Sequence, residues 1–292
     1  MSPSGTTPRA IRPSIPRLLT VGTAAYGGWL ISNIVLALLM PFLAVIRFAL
    51  GHRGRRFTRF VIVSFLRHFF LGYFHWIRVY RVQSLPRKED LPRQRPCLFV
   101  ANHRSWIDAL ILTAILEDVV IPVNAAYLKI PLAGTMMRWL GAISLEKSSR
   151  RSLLDGAESV RGALRNGQSV VVFPEGTRSP MGQVKHFSDF FFRIAIDEGV
   201  PIIPTIIHLG VPFLGPGKEN FLTARRAGLK IVLLEPEVVK RGARGADLAR
   251  RVHKTMTKSI ARLDAQSLAP TQRSADEIHE IDDSCTSRNR KN

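Results

Sequence analysis

The sequence predicts an α/β protein with a mostly parallel sheet flanked by helices, preceded by an N-terminal membrane-embedded or interfacial helical motif. Short β-branched runs alternate with helical stretches after Pro92, which is typical of βαβ units and hence of parallel sheets. Residues 18 to 46 contain no charged side chain, and no Asp or Glu precedes Glu89. These observations separate an apolar, basic N-terminal part from the α/β domain.

The first element is the uncharged run of residues 18 to 46. It exceeds the roughly 20 apolar residues that cross a bilayer once, and Pro41 is expected to bend it. A cleavable signal peptide is the competing interpretation, because the arginines among the first 17 residues resemble its positively charged region. The apolar run is longer than a signal peptide needs, so the sequence favours a retained anchor.

The second element, residues 57 to 80, is aromatic and apolar but repeatedly interrupted by charge. Arg59, Arg67 and Arg78 lie within it, which favours a helix at the membrane interface over a span buried in lipid. A pair of soluble helices packed on the domain is the alternative. The many Phe and Trp residues without acidic neighbours argue against a solvated helix face.

The remaining elements divide the chain into four predicted segments. We expect a basic arm at residues 1–17, an anchor with interfacial helices at 18–88, an α/β domain at 89–264 and a disordered polar tail at 265–292. Strands are predicted at residues 97–101, 121–127, 142–145, 169–173, 201–209 and 230–239. Helices are predicted at residues 106–116, 132–140, 152–165, 189–198 and 246–263.

Charge and cysteine content limit the classes of partner. Lys and Arg number 42 against 22 Asp and Glu, a formal net charge of +20 that requires an anionic partner. A nucleic-acid-binding protein would be equally basic. However, much of the charge lies among apolar residues, and no recognition module is visible, so no nucleic-acid partner is expected. Cys97 and Cys285 alone support neither a disulfide framework nor a cysteine metal site, which fits a reducing, cytoplasmic setting with no metal.

The first candidate site is the segment Asn-His-Arg-Ser-Trp-Ile-Asp at residues 102–108, where a predicted strand gives way to a helix. His103 could accept a proton from a substrate hydroxyl, and a carboxylate on its other ring nitrogen would fix the tautomer. Asp108 is a candidate for that carboxylate. It could equally cap the helix together with Ser105, and the two roles are compatible.

The second candidate site is the segment Phe-Pro-Glu-Gly-Thr-Arg-Ser at residues 173–179, which also follows a predicted strand. Arg178 can grip a phosphate with two parallel N–H groups, and Gly176 allows close backbone approach to a ligand. A polar surface loop without a binding role is the alternative.

Both segments resemble sequence blocks of the glycerophospholipid acyltransferase family. Residues 102–108 are similar to its first block and residues 173–179 to its third. Residues 129–131, with Gly134 and Gly141, resemble the second block, and residues 200–204 resemble the fourth. Four blocks in the family's order argue against coincidence.

The resemblance implies an α/β domain held at the membrane by an N-terminal helical motif. The domain is expected to face the cytoplasm, because acyl thioesters are supplied there. It implies transfer of a fatty acyl group from acyl-CoA or acyl carrier protein to a lysophospholipid acceptor, 1-acylglycerol 3-phosphate, with no cofactor. His103 would be the general base and Asp108 its orienting partner. The residues implied in substrate binding are Glu175, Gly176, Thr177, Arg178, Lys147 and Lys129. Backbone N–H groups at the start of the helix near Trp106 would stabilise the oxyanion.

Two departures from the family's pattern leave the acceptor open. Lys147 stands where the family often has Arg, and Phe190 stands where it commonly has Gly. Another lysophospholipid or a lyso-aminolipid is therefore an alternative acceptor. A thioester hydrolase that uses the same base on water and a catalytically inactive membrane scaffold are the further alternatives.

Overall fold

The structure is a computed structural model that describes residues 15–93, 96–116, 118–146, 149–180, 183–209 and 227–288. It begins with a helical hairpin whose second arm continues through a π-helical turn. The helices are α1 (Ile15–Ala49), α2 (Gly51–Leu66), the π turn (Arg67–Tyr73) and α3 (Phe74–Trp76). The two arms approach closely at their corner: a Cβ atom on Gly54 would clash with the carbonyl oxygen of Ile46.

Both arms of the hairpin are long and apolar enough to cross a membrane, judged by length and composition. In the arm Leu19–Ala49, 17% of the most apolar window is buried within the protein, against 39% in the arm Gly51–Trp76. Most of the α1 surface therefore faces away from the protein. Because exposing so large an apolar surface to water is unfavourable, the hairpin suggests membrane association.

Two arginines fasten the second arm to the rest of the protein. The guanidinium of Arg59 donates to the carbonyl oxygens of Val119, at 2.6 Å, and of Leu140. Arg67 donates twice to the carbonyl oxygen of Ala114, at 3.1 and 2.8 Å. Basic residues that the sequence analysis assigned to a membrane interface therefore also bind backbone carbonyls inside the protein.

The described strands form a six-stranded sheet and a small two-stranded sheet. The large sheet has the spatial order β1-β8-β7-β2-β6-β3 and is parallel except for the β7–β8 pair. Its strands are β1 (Tyr80–Ser84), β2 (Leu98–Ala101), β3 (Val119–Val120), β6 (Ser169–Val172), β7 (Ile202–Leu209) and β8 (Ala227–Leu233). The small parallel sheet consists of β4 (Pro122–Asn124) and β5 (Ile143–Leu145).

Helices cover both faces of the large sheet, so the predicted fold class is confirmed. Along the strands, alternate residues enter two separate cores. Phe99 faces the core beneath the hairpin, while Leu98 faces the core on the opposite side of the sheet. The helices of the domain are α4 (Asp108–Leu116), α5 (Ala125–Leu128), α6 (Ala133–Trp139), α7 (Arg150–Arg165), α8 (Phe190–Glu198) and α9 (Gly245–Arg288).

Four predicted elements differ from the structure. The strand predicted at residues 121–127 is too long: only Pro122–Asn124 form a strand, β4, and α5 begins at Ala125, where Asn124 caps the helix by accepting from the N–H of Ala126. The strand predicted at residues 230–239 ends at Leu233. The interfacial helix predicted to reach residue 80 ends at Trp76, because Tyr80 already belongs to the edge strand β1. Helix α9 continues to Arg288 through the predicted disordered tail. The first turns of α9 pack into one of the two cores, and a helix nucleated there can propagate along the chain.

We expect truncation of Leu98 to test the packing of the central strand. Leu98 is fully buried, so Leu98→Ala should lower the free energy of unfolding by about 2 to 5 kcal/mol. Leu154→Ala, at a leucine of α7 that is 60% exposed, is the matched control and should change it by less than about 0.5 kcal/mol. Unfolding in detergent, followed by circular dichroism, measures both. Equal effects of the two variants would contradict the described core.

Candidate active site

The candidate site lies where two neighbouring parallel strands end. Strands β2 and β6 pair in register from Leu98 with Val170 to Val100 with Val172, so their carboxyl ends reach the same edge of the sheet. The loop after β2 contains His103, and the loop after β6 contains Glu175. The sheet therefore brings together two segments that lie about 70 residues apart in the sequence, at the edge where open α/β sheets bind ligands.

At this edge, the side chain of Asn102 continues the pairing of β2 with β7. The Asn102 amide donates to the carbonyl oxygen of Ile207 at 3.0 Å, and its Oδ1 accepts from the N–H of Ile207 at 2.8 Å. Asn102 thus replaces the backbone pairing that a further strand residue would make with β7. The chain is fixed in place immediately before His103.

His103 and Asp108 form a hydrogen-bonded pair, as the sequence analysis predicted. His103 Nδ1 lies 3.0 Å from Asp108 Oδ2, the carboxylate side chain is 2% exposed, and the imidazole is 23% exposed. A carboxylate at Nδ1 keeps the proton on that nitrogen and leaves Nε2 with its lone pair. The imidazole can therefore accept a proton from a group that approaches from solvent or lipid.

The Asp108 carboxylate also organises the loop between the strand and helix α4. Oδ2 accepts the backbone N–H groups of Arg104 and Ser105, each at 2.7 Å. The N–H of Asp108 in turn donates to the carbonyl oxygen of Ser105 at 3.4 Å. Orienting the histidine and capping the helix are therefore both performed by one carboxylate.

The hydrogen bonds of this turn reduce the number of backbone N–H groups that could bind an oxyanion. The N–H groups of Arg104 and Ser105 bind Asp108, and that of Ile107 lies 3.4 Å from Ser105 Oγ. Among the hydrogen bonds of the described residues, the N–H of Trp106 is not used. Trp106 is therefore the backbone donor in this turn that remains for a developing negative charge.

Phe173 restricts the plane of the His103 imidazole. The rings of Phe173 and His103 are stacked, with centroids 4.4 Å apart and an interplanar angle of 29°. The Asp108 hydrogen bond fixes one edge of the imidazole, and the phenyl ring covers one face. Together they limit rotation of the ring about its side-chain bonds.

Glu175 joins the two loops. Its Oε1 accepts the backbone N–H of His103 at 2.7 Å, and its Oε2 accepts the N–H of Lys185 at 3.0 Å and the hydroxyl of Ser179. A backbone bond from Ser179 N–H to the carbonyl oxygen of His103, at 2.8 Å, lies alongside. Both carboxylate oxygens are thus bonded to the protein itself, and the side chain holds the loop of His103 against the loop of residues 173–179.

Arg178 lies over the aromatic ring of Trp106, in the loop that contains His103. Its Cζ is 4.3 Å from the ring centroid of Trp106, and the ring of Tyr127 contacts the same indole edge-on, with centroids 5.4 Å apart. Arg178 is half-buried and Trp106 is 47% exposed. A guanidinium stacked on an indole keeps its N–H fork in a fixed plane at the entrance to the site.

The rest of the third block forms a tight turn tied by a lysine. Gly176 has a φ of 71°, a left-handed conformation that favours glycine. Lys185 Nζ donates to Thr177 Oγ1 and to the carbonyl oxygen of Arg178, both at 2.9 Å. Gly176 and Thr177 are exposed, so this turn presents backbone and hydroxyl groups beside His103.

Of the two lysines predicted to bind substrate, the structure describes Lys129 but not Lys147. Lys129 is exposed at the end of α5, two residues after Tyr127, and so lies on the segment that borders Trp106. Lys147 lies outside the described residues. The binding roles assigned to both lysines, and to residues 175–178, stay predictions.

Sequence reasoning missed several residues of the site. Ser179 and Phe173 lie inside the motif that was singled out, but nothing in the motif indicated that they bind Glu175 and stack on His103. Lys185 lies outside every block, and its contacts depend on a loop path that spacing does not predict. Among the described residues, no group of three or more His, Cys, Asp or Glu could hold a metal ion.

Comparison with known proteins finds a family model and several relatives that match this chain. The acyltransferase family model matches residues 84–208. The chain is 30% identical over 196 residues to a lyso-ornithine lipid O-acyltransferase of Pseudomonas aeruginosa. The match covers 63% of this chain and 73% of that protein. It is 29% identical over 149 residues to a chloroplast 1-acyl-sn-glycerol-3-phosphate acyltransferase of Brassica napus. That match covers 51% of this chain but 43% of the relative, so the chain spans less than half of the relative's length.

A solved structure shares the fold. The 1-acyl-sn-glycerophosphate acyltransferase from Thermotoga maritima superposes with a TM-score of 0.66 at 22% sequence identity, covering 86% of this chain and 97% of that one. The family resemblance stated from the sequence is confirmed by these comparisons.

We expect Glu175→Gln to loosen the junction of the two loops. The amide that replaces one carboxylate oxygen turns an acceptor into a donor facing N–H and O–H donors, which should cost about 1 to 3 kcal/mol of stability. The control is Glu158→Gln, because the side chain of Glu158 is 64% exposed on α7. Thermal unfolding and limited proteolysis near residue 175 should separate the variants. A Glu175→Gln protein as stable and protease-resistant as the control would contradict this role.

Proposed function

The chain belongs to the acyltransferase family, and from that premise we propose that it transfers a fatty acyl group from a thioester to the free hydroxyl of 1-acylglycerol 3-phosphate, giving phosphatidate. Acyl-CoA or acyl carrier protein is the donor. The observation on which the proposal rests is the 3.0 Å pair of His103 with buried Asp108, with the Arg178 loop held beside it by Glu175.

The reaction needs no nucleophile from the enzyme. His103 Nε2 accepts the proton of the acceptor hydroxyl while its oxygen attacks the thioester carbonyl. A C–O bond forms, the C–S bond breaks, and the proton passes from the imidazolium to the departing thiolate. Buried Asp108 stabilises the imidazolium, and the N–H of Trp106 faces the carbonyl oxygen as negative charge develops on it.

Arg178 is proposed to bind the acceptor's phosphate. A guanidinium binds two phosphate oxygens with parallel N–H groups, and the stack on Trp106 fixes the plane in which those groups point. Thr177 and Gly176 are exposed in the same turn and can offer further polar contacts. The phosphate would then lie beside His103, which places the glycerol hydroxyl within reach of Nε2.

A lyso-ornithine lipid is the second candidate acceptor. It is favoured by the 30% identity to the Pseudomonas aeruginosa enzyme of that name and by Phe190, which departs from the family's glycine. The free carboxylate of an ornithine headgroup also suits a bidentate guanidinium. Arg178 therefore fits both acceptors, and the choice between them needs a direct assay.

The location proposed for the catalytic domain is the cytoplasmic face of a membrane. Its supports are the apolar hairpin, the excess of basic residues and the cytoplasmic supply of acyl thioesters. The partners are then the phospholipid surface, a lysolipid acceptor and an acyl-CoA or acyl carrier protein donor, with no nucleic acid.

The first test measures thiol release by detergent-purified protein from long-chain acyl-CoA and, separately, acyl carrier protein, with and without lysolipids. We expect release that depends on lysophosphatidate. His103→Ala should lower kcat by about a hundredfold to ten-thousandfold, the contribution usual for a general base, while the protein stays folded. His186→Ala, at an exposed histidine of the loop before α8, is the matched control and should retain activity.

Each other result rejects part of the proposal. Acceptor-independent release would identify a thioesterase, and no release from either donor would identify a scaffold. Full turnover in a folded His103→Ala protein would remove His103 from the mechanism.

A second test concerns acceptor recognition. Arg178→Lys keeps the charge but loses the bidentate fork and the planar stack on Trp106, so the acceptor KM should rise about tenfold or more with a smaller change in kcat. The acceptor panel contains lysophosphatidate, lyso-ornithine lipid and a lysolipid without an anionic headgroup. A KM that is unchanged for every acceptor would show that Arg178 does not bind the headgroup.

A further inference from the structure

Arg104 follows the catalytic histidine in sequence but takes no part in the chemistry described above. Its backbone N–H binds Asp108, whereas its side chain is buried, with the residue only 6% exposed. Nε, Nη1 and Nη2 are all buried, and none has a hydrogen-bond partner among the described residues. Arginine remains protonated in proteins, so this is a buried positive charge with all of its donors unsatisfied.

A second buried group with an unsatisfied atom lies beside it. His208 of β7 is 2% exposed; its Nε2 lies 2.8 Å from Asp264 Oδ1 of α9, while Nδ1 has no partner within the described chain. Burial lowers the pKa of His208, the hydrogen bond and charge of Asp264 raise it, and the charges of Arg104 and Lys230 lower it. Both cations therefore lie close enough to act on the imidazole.

The sheet explains why these three basic residues meet. Arg104 lies in the loop after β2, and Asn102, two residues before it, hydrogen-bonds to Ile207, the neighbour of His208 in β7. Across the β7–β8 pair, His208 is opposite Lys230. Arg104, His208 and Lys230 thus form a basic row that runs from this loop across β7 to β8.

The row has more positive than negative charge. Among the described residues, the carboxylate of Asp264 pairs with this row through His208. The charges of Arg104 and Lys230 are therefore left without a compensating ion pair among the described residues. A native protein rarely keeps buried donors unpaired, because each unsatisfied donor is unfavourable. Such a site is expected to gain an anion with several acceptor oxygens.

We propose that Arg104, His208 and Lys230 form an anion subsite that binds a phosphate-type oxyanion behind the catalytic loop. Phosphate fits the donor set because its oxygens accept from the guanidinium and the ammonium group. It also fits either state of His208, since a partly protonated phosphate can donate to Nδ1 and a charged imidazole can donate to phosphate. The subsite is separate from the Arg178 loop, and its occupation does not depend on acyl transfer.

The test follows thermal unfolding of the full-length protein in detergent, with inorganic phosphate as the probe and potassium chloride holding ionic strength constant. A ligand that binds only the folded state raises Tm with its concentration, by about 5 °C or more at a hundredfold excess over Kd. We expect a saturable rise in the wild type, and loss of at least half of it in Arg104→Met.

Matched variants locate the phosphate. Arg193→Met, at an exposed arginine of α8, should keep the whole rise, and Arg178→Met should keep the part of the rise that Arg104→Met removes. In phosphate-free buffer, Arg104→Met should unfold at the same temperature as the wild type or higher, because it removes an uncompensated buried charge. Glycerol 3-phosphate and CoA, compared with inorganic phosphate, show whether the subsite prefers the phosphate of the acceptor class, of the donor class or the free ion.

The absence of a saturable rise in the wild type would overturn the proposal. So would an undiminished rise in Arg104→Met, or a rise that is lost in Arg178→Met but kept in Arg104→Met. A fall in the phosphate-free Tm of Arg104→Met would also reject it, because the side chain would then be stabilising without an anion. If Arg104→Met gives no folded protein, Lys230→Met decides. A rise equal to that of the wild type in that variant overturns the subsite, and a diminished rise supports it.

Discussion

The hydrogen bond from the backbone N–H of His103 to Glu175 Oε1, 2.7 Å long, is the contact on which the arrangement of the site depends. The other described contacts between the loops after β2 and β6 are the backbone bond of Ser179, the stacking of Phe173 on His103 and the stacking of Arg178 on Trp106. Because a carboxylate supplies two acceptor oxygens, one residue can also fix Ser179 and Lys185. The positions of His103 and of the loop that contains Arg178 are thereby coupled to one side chain.

A second carboxylate governs the interior of the first loop. Asp108 Oδ2 accepts from two backbone N–H groups and faces the imidazole, so its charge is stabilised by donors that are fixed before any substrate arrives. A carboxylate held in this way needs little reorganisation when charge develops beside it. The turn between His103 and Asp108 directs two N–H groups at the same oxygen.

Sequence patterns predicted the fold class, both loops and the pairing of His103 with Asp108, because each depends on local periodicity or on residues close together in the chain. They extended the strand near residue 121 too far, since an apolar run does not reveal that β4 ends at Asn124, which caps a helix. The contacts of Lys185 and Phe173 were not predictable, because they are set by a loop path across the sheet edge. The same holds for Arg104 and His208, which are brought together by the adjacency of β2 and β7 in the sheet rather than by any motif.

The edge strand β1 follows the apolar hairpin almost directly and pairs with β8, and Arg59 and Arg67 bind carbonyls of the domain. The hairpin is therefore part of the folded body and not a flexible tether. On a membrane, such a body keeps its catalytic edge at a constant height and tilt. Encounters with a lipid acceptor then occur by diffusion in two dimensions, so turnover would depend on the number of acceptor molecules per unit area of membrane. Diluting the acceptor with inert lipid would slow the reaction even at a constant bulk concentration.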